Sequence, residues 1–189
     1  MFIHGKLGYS TVNGPGERAV VWFQGCVGMK CPGCWNPETH RSGGGKSITV
    51  GKLVKWICQQ PDISGVTFSG GEPLQQPDEF ARVVWMLRKL KPELSIGVFT
   101  GYTESELNGD DARSQLWRVI QPRIDFAVMG RYNELRPANS HLCSSQNQHL
   151  RLFSQRYTEA DFAGPLEVEV TIDEDLIQVT GFPVNGMEL

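Results

Sequence analysis

Three cysteines, Cys26, Cys31 and Cys34, fall within nine residues, spaced Cys-x4-Cys-x2-Cys on a stretch that also carries Gly25, Gly28, Pro32 and Gly33. Thiolates are soft ligands, and three of them on a pliable loop point to zinc or to an iron–sulfur cluster. A structural zinc site takes four ligands, and His40 lies close enough in sequence to complete a set of three cysteines and one histidine. Ordinary buried thiols are the plain alternative. Incompleteness favours the cluster: three cysteines hold three irons of a 4Fe–4S cube and leave the fourth open, as a catalytic centre requires. The chain has five cysteines, an odd number ill suited to a disulfide framework. Cys58, on an apolar helix face, reads as a core thiol, and Cys143, in a polar stretch, as an incidental loop thiol.

A loop that holds a metal centre needs a rigid support. Ala19 to Gln24, Gly65 to Ser69, Ser95 to Thr100 and Ile124 to Met129 are short apolar runs, rich in β-branched and aromatic residues and followed by Gly, as buried parallel strands are. Helical patterns separate them. Val50 to Gln60 puts Leu53, Val54, Ile57 and Cys58 on one face, and Pro77 to Leu90 does so with Phe80, Val83, Val84, Leu87 and Leu90. Ser105 to Ile120 is weaker and breaks at Asn108-Gly109. The alternation predicts an α/β fold with a parallel sheet and right-handed crossovers, open or curled into part of a barrel. Ligands in such sheets sit at the carboxyl ends of the strands. Four segments should therefore converge on one rim: Gly25 to Trp35, Gly70 to Pro73, Gly101-Tyr102 and Gly130-Arg131. Asn133 to Gln148 reads mainly as loop. Leu166 to Thr180 alternates around Asp173-Glu174-Asp175 and reads as an antiparallel hairpin.

At 189 residues and 21.1 kDa, with 40% apolar and 21% charged residues, the chain fits one globular domain spanning 1–189. Its 18 Lys and Arg stand against 21 Asp and Glu, net −3, without the broad basic footprint of a nucleic-acid or membrane-surface binder. There is no apolar run of membrane-spanning length, and Met1 to Ser10 has no apolar signal segment, so the expected location is the cytoplasm. Gly43-Gly44-Gly45-Lys46-Ser47 is not a phosphate-binding loop, because the register needs Gly at position 40 and His40 stands there. It reads as a flexible loop. His4, His141 and His149 have no partner at metal-binding spacing.

Taken in order, Val12-Asn13-Gly14-Pro15-Gly16-Glu17-Arg18, Gly25-Cys26 through Cys31-Pro32-Gly33-Cys34-Trp35-Asn36-Pro37, and Ser69-Gly70-Gly71-Glu72-Pro73-Leu74 resemble the radical S-adenosylmethionine (SAM) superfamily. More narrowly, with Thr100-Gly101-Tyr102, Glu106-Leu107 and Ser144-Ser145-Gln146-Asn147-Gln148, the chain is similar to the activating enzymes of anaerobic ribonucleotide reductase. The resemblance covers about residues 8 to 155, leaving about 156–189 as a C-terminal extension. It departs from the pattern twice: Val27, Gly28, Met29 and Lys30 make four residues where three are usual, and Gln146 is inserted in the last motif. Loops absorb single residues at little entropic cost.

The resemblance implies a small, incomplete (β/α) radical-SAM barrel with a C-terminal β-hairpin. It implies that Cys26, Cys31 and Cys34 hold a 4Fe–4S cluster whose open iron is chelated by SAM, which is cleaved reductively to methionine and a 5′-deoxyadenosyl radical. By the same resemblance Gly70, Gly71 and Glu72 receive the SAM amino group, Trp35 lies near the adenine or the cluster, and Thr100, Tyr102 and Asn147 contact SAM; Gln148 and Arg131 could add polar contacts. The implied activity is formation of a glycyl radical on a partner enzyme such as anaerobic ribonucleotide reductase, with a low-potential donor such as flavodoxin or ferredoxin. A short chain, with little material left to enclose a small substrate, suits that role. The alternatives are a radical SAM enzyme acting on a small molecule, such as a deazaguanine precursor, and a non-catalytic zinc or iron–sulfur module.

Overall fold

The computed structural model describes residues 1–29, 31–140, 142–173 and 176–182. Lys30 of the cysteine loop, His141, and Glu174-Asp175 of the expected hairpin turn lie outside the described residues. In chain order the elements are β1 (Phe2–Leu7), β2 (Arg18–Phe23), β3 (Lys46–Ser47), α1 (Val50–Cys58), β4 (Gly65–Gly70), α2 (Pro77–Leu90), β5 (Ser95–Thr100), α3 (Glu104–Leu107), α4 (Ala112–Ile120), β6 (Phe126–Met129), β7 (Pro137–Ser140), β8 (Cys143–Ser145), β9 (His149–Leu152), β10 (Val168–Asp173) and β11 (Leu176–Gly181).

The fold is α/β, built on a seven-stranded mixed sheet of order β3-β1-β2-β4-β5-β6-β9. The four apolar runs of the sequence form its centre: β2, β4, β5 and β6 pair in parallel. Antiparallel strands extend it on both sides, β1 beside β2 and β9 beside β6. Neither outer strand was expected, because Phe2–Leu7 mixes His4, Gly5 and Lys6 with apolar residues and His149–Leu152 has only four. The stretch Asn133 to Gln148, expected as loop, holds β7 and β8 paired antiparallel. Those strands are Pro-Ala-Asn-Ser and Cys-Ser-Ser, without the β-branched or aromatic residues that mark strands in a sequence. Lys46 and Ser47 are likewise no free loop, since they pair with Ile3 and Phe2.

Strand alternation splits the parallel strands into two faces. Val21, Phe23, Val66, Phe68, Ile96, Val98, Ala127 and Met129 are buried in one apolar cluster with the inner faces of α1, α2 and α4. In α2 these are Phe80, Val83, Val84 and Leu87, at helical spacing, with Asp78 and Glu79 in the first turn and Arg88 and Lys89 in the last, as the helix dipole favours. Thr49 caps α1 by accepting from Lys52 N, Thr103 caps α3 through Glu106 N and Asp111 caps α4 through Ser114 N, so the break at Asn108-Gly109 separates two properly started helices, α3 and α4. On the other sheet face lie Trp22, Thr67, Ser69, Phe99 and Val128. The antiparallel pair β10–β11 comes down on this side: Phe182 meets Phe99 with ring centroids 5.9 Å apart, and Thr180 accepts from Asn13 Nδ2 at 2.9 Å. Among the described residues no helix is long and apolar enough to cross a membrane.

Candidate functional site

β2 delivers the chain to the carboxyl rim, where Gly25 turns at φ +102°. Two backbone bonds then clamp the cysteine loop to the segment that follows it, Gly25 N to Thr39 O (2.7 Å) and Cys26 N to His40 O (3.1 Å). Gln24 reinforces the clamp, donating through Nε2 to Glu38 O (3.1 Å) and Arg41 O (2.7 Å). Gln75, at the start of the next crossover, exchanges bonds with both backbone groups of Val27, 2.8 and 2.7 Å. The far side of the loop rests on the segment after β6, with Trp35 on Tyr132 at 5.7 Å between centroids. Met29 is buried over Gly101, tying the loop to the β5 rim.

A cavity of about 310 Å³ opens at this rim and runs onto the free sheet face. Its wall includes Cys26, Cys31 and Cys34, and also Trp35, Gly70, Gly71, Glu72 and Thr100. Burial raises all three thiols, Cys26 to about 12, where Glu72 and the other two thiols add to the effect and Arg131 opposes it. They stay protonated at neutral pH unless a cation binds, and such binding releases their protons. Among the described residues no three His, Cys, Asp or Glu side chains converge on a single ion. His40, the fourth ligand of the zinc alternative, instead stands with Nε2 3.2 Å from Cys34 Sγ.

The glycine pair follows β4. A side chain at Gly70 (φ +97°) would come within 2.6 Å of Phe23 N, and one at Gly71 would collide with the carbonyl oxygen of Gly25. The glycines thus let the β4 rim close onto the cysteine loop, a bond network completed by Gly71 N to Phe23 O (2.9 Å) and Glu72 N to Gly25 O (2.8 Å). Glu72 is fully buried. Its carboxylate accepts from Leu74 N (2.8 Å), Gly101 N (2.8 Å) and Thr100 Oγ1 (3.0 Å to either oxygen), spanning the β4 and β5 rims. Burial pushes its pKa to about 7 against the pull of those donors.

Two expected contacts stand off the cavity wall. Tyr102 packs into the apolar core with the Arg113 guanidinium 4.3 Å over its ring, because the chain turns inward ahead of the α3 cap. Asn147 donates through Nδ2 to Arg131 O (2.5 Å), and its neighbours Ser144 and Gln148 reach the wall instead. Gln148 Oε1 accepts from Ser144 N (3.0 Å) and Ser145 N (3.1 Å), so it shapes the wall. Arg131 holds Glu106 in two bonds of 2.9 and 2.8 Å, which lowers Glu106 to about 2. Cys143, expected as an incidental loop thiol, is buried in β8, and burial raises it to about 11.

Sequence reasoning missed the back wall. Trp22, Phe99 and Val128 line it because they alternate with core residues along their strands, a signal legible only once one face is known to carry no helices. Val179, Thr180 and Phe182 line it from the C-terminal pair, and nothing local in their sequence foretells it. Asn13, of the first motif that carries the resemblance, is buried between Ser10 Oγ (2.8 Å) and Thr180 Oγ1 (2.9 Å).

Residues 12–151 match the family described as "4Fe-4S single cluster domain". The chain is 35% identical over 131 residues to the anaerobic ribonucleoside-triphosphate reductase-activating protein of Escherichia coli K12, covering 66% of this chain and 83% of that one. The chain belongs to the radical SAM activating-enzyme family. The counterpart from Enterobacteria phage T4 is 31% identical, over 74% of this chain and 86% of its own. A pyruvate formate-lyase-activating enzyme of Clostridium pasteurianum is 46% identical over 81 residues, 40% of this chain and only 34% of that protein. As a member of this family the chain is an enzyme, and its cofactors are a 4Fe–4S cluster and SAM. The site fits them. Three thiols share one cavity wall, and its volume lies at the lower end of the ~300–1,000 Å³ usual for small-molecule sites.

Proposed function

We propose that this enzyme makes a glycyl radical on a protein partner of the anaerobic ribonucleotide reductase class. The observation that carries the reading is the meeting of Cys26, Cys31 and Cys34 with Gly70, Gly71 and Thr100 on one cavity, in a chain that spans 83% of a reductase-activating relative. The three thiols would hold three irons, and the glycine pair, Thr100 and Trp35 would form the SAM wall. When bound, cluster and SAM together supply a 5′-deoxyadenosyl radical able to take a hydrogen atom from a glycine Cα. The protein's part is placement. Glu72 holds the two rims in register with its own carboxylate saturated by protein donors, which supports a positioning role, while Tyr102 and Asn147 support the wall from behind.

The same reading takes the sheet as the incomplete barrel of this superfamily, in one domain whose radical SAM core is about 8–155. The β10–β11 pair is an addition closing the open face. It also takes a flavodoxin or ferredoxin as electron donor, and the cytoplasm, without nucleic acid or membrane, as the place of action.

Anaerobically reconstituted protein given SAM and a strong reductant should release methionine and 5′-deoxyadenosine. With a ribonucleotide reductase deuterated at glycine, it should yield a glycyl radical by electron paramagnetic resonance and deuterium in the deoxyadenosine. Cleavage with label drawn only from a small molecule would overturn the partner assignment in favour of a deazaguanine-type reaction. Stoichiometric zinc without iron would overturn the radical chemistry altogether.

A further inference from the structure

His40 touches the cysteine centre twice. Its carbonyl oxygen accepts from Cys26 N at 3.1 Å, and its ring nitrogen Nε2 lies 3.2 Å from Cys34 Sγ. The backbone that carries the ring is held from three directions. Pro37, Glu38 and Thr39 form a single 3-10 turn that ends at His40, whose N–H bonds Pro37 O at 3.1 Å. Thr39 is buried and bonds Asn36 O through its hydroxyl at 2.6 Å. Gln24 fixes the carbonyls on both sides of the turn, at Glu38 and Arg41. The histidine is therefore delivered to the sulfur by backbone geometry, half-buried and on the cavity wall.

A thiolate bound to iron carries no proton, so a ring nitrogen at this distance can interact with it favourably only as an N–H donor. We propose that His40 is a positioning residue for the cluster, donating Nε2–H to Cys34 Sγ and thereby setting the potential at which the cube accepts its electron. The inference rests on the reading of the three thiols as iron ligands. Reduction adds one electron, delivered by the external low-potential donor, and part of that charge resides on the sulfurs. An N–H dipole aimed at sulfur stabilises the reduced state more than the oxidised one, so the bond raises the potential. His40 acts through a side chain, which substitution can remove while the backbone stays.

The test compares reconstituted wild type with His40→Phe and His40→Leu, which lack a donor, and with His40→Gln, whose amide can supply one. Iron should remain about four per chain in all of them. At a fixed poise the ratio of reduced to oxidised cluster should fall about tenfold in the donor-free variants, which is about 59 mV for a one-electron couple. His40→Gln should stay within about threefold of wild type. An unchanged potential in a donor-free variant that keeps its iron would overturn the assignment. Loss of iron from both donor-free variants would overturn it too, since a cube held by three thiolates does not need this donor. Absence of iron from the wild type would instead sink the ligand reading on which the inference stands.

Discussion

The two ends of the same four parallel strands each bury an ionisable side chain, and they use it differently. At the amino end Arg18 has no solvent exposure, and its guanidinium is spent on oxygens: Thr67 Oγ1 (2.7 Å), Pro15 O (3.0 Å), Val66 O (2.8 Å), Ser95 Oγ (3.2 Å) and Ser95 O (3.4 Å). Burial lowers it to about 10, so it remains a cation at neutral pH, backed by the Phe126 ring at 5.1 Å. At the carboxyl end Glu72 is spent on N–H and O–H donors from the β4 and β5 rims. Each group laces neighbouring strands together. What distinguishes the ends is the company. Around Arg18 every neighbour is another wall: Gly65 and Gly14 lack side chains because the guanidinium and its stem fill that space. Around Glu72 the neighbours are bare glycine backbone and three thiols on an open cavity. A buried, hydrogen-bonded ionisable group is therefore architecture at both ends, and what sets the carboxyl end apart is the three thiols on the cavity wall beside it.

The largest effect follows from the amino end. Arg18→Ala leaves a cavity and strips partners from Thr67 and from buried carbonyls of three segments, costing on the order of 3 kcal/mol or more. Urea unfolding of the apo-protein should show this as a lower midpoint with an unchanged slope. Iron per folded chain should stay at the wild-type level, because no Arg18 contact reaches the cysteine loop. Loss of iron binding from a fully folded Arg18→Ala protein would break the separation of the two ends.

The next effect belongs to the carboxyl end. Gly71→Ala sets a methyl against the backbone of Gly25, the residue before Cys26, and backbone cannot swing aside as a side-chain tip can. Iron uptake should fall several-fold, with far-UV circular dichroism unchanged. Gly101→Ala is the control. Its methyl meets the sulfur of Met29, a flexible side chain, so iron uptake should stay near normal. Equal losses in both would mean that the rim tolerates no added atom anywhere.

The four parallel strands were legible because Val-Val-Trp-Phe, Val-Thr-Phe, Ile-Gly-Val-Phe and Phe-Ala-Val-Met carry the β-branched and aromatic residues of doubly covered strands. Strand and helix alternation then put the cysteine loop, the glycine pair and Thr100 on one rim without further help. Contacts between segments far apart in the chain were not legible. Thr180 reaches Asn13 across 167 residues, and a pattern read in short windows contains no trace of that bond. Glu72 was expected to receive the SAM amino group, and its bonds to Leu74 N, Gly101 N and Thr100 Oγ1 were not legible because two of those donors come from the rim of a different strand. His40 was weighed as a zinc ligand by proximity in sequence; its relation to Cys34 depends on a 3-10 turn that the sequence did not reveal.

The smallest effect is the share of the pH dependence that comes from the amino end. Asp125 is buried there. It accepts from Ile96 N (2.8 Å) and Arg88 Nη2 (2.6 Å) on one oxygen and from Ser154 Oγ (2.7 Å) on the other. Burial alone would raise its pKa, but these donors outweigh burial and hold it below the ordinary 3.8. A carboxyl with a depressed folded value adds stability above its unfolded pKa, and that contribution is lost as pH falls through the folded value. The apo-protein should therefore lose stability between about pH 4 and the lower pH at which folded Asp125 takes up its proton. Asp125→Asn should cost roughly 1–2 kcal/mol at pH 7, from weaker bonds to Arg88 and Ile96, and the gap to wild type should shrink toward pH 3. At the other end Glu106, lowered to about 2, acts in the same direction and Glu72, raised by burial to about 7, in the opposite one, stability falling as pH rises from about 4.5 to 7, so it is the gap to Asp125→Asn that reads Asp125 alone. Guanidinium unfolding curves at pH 3, 5 and 7 for both proteins check this. A gap between wild type and Asp125→Asn that stays constant with pH would mean that Asp125 keeps an ordinary pKa in the fold, and that the amino end owes its order to Arg18 without help from this carboxylate.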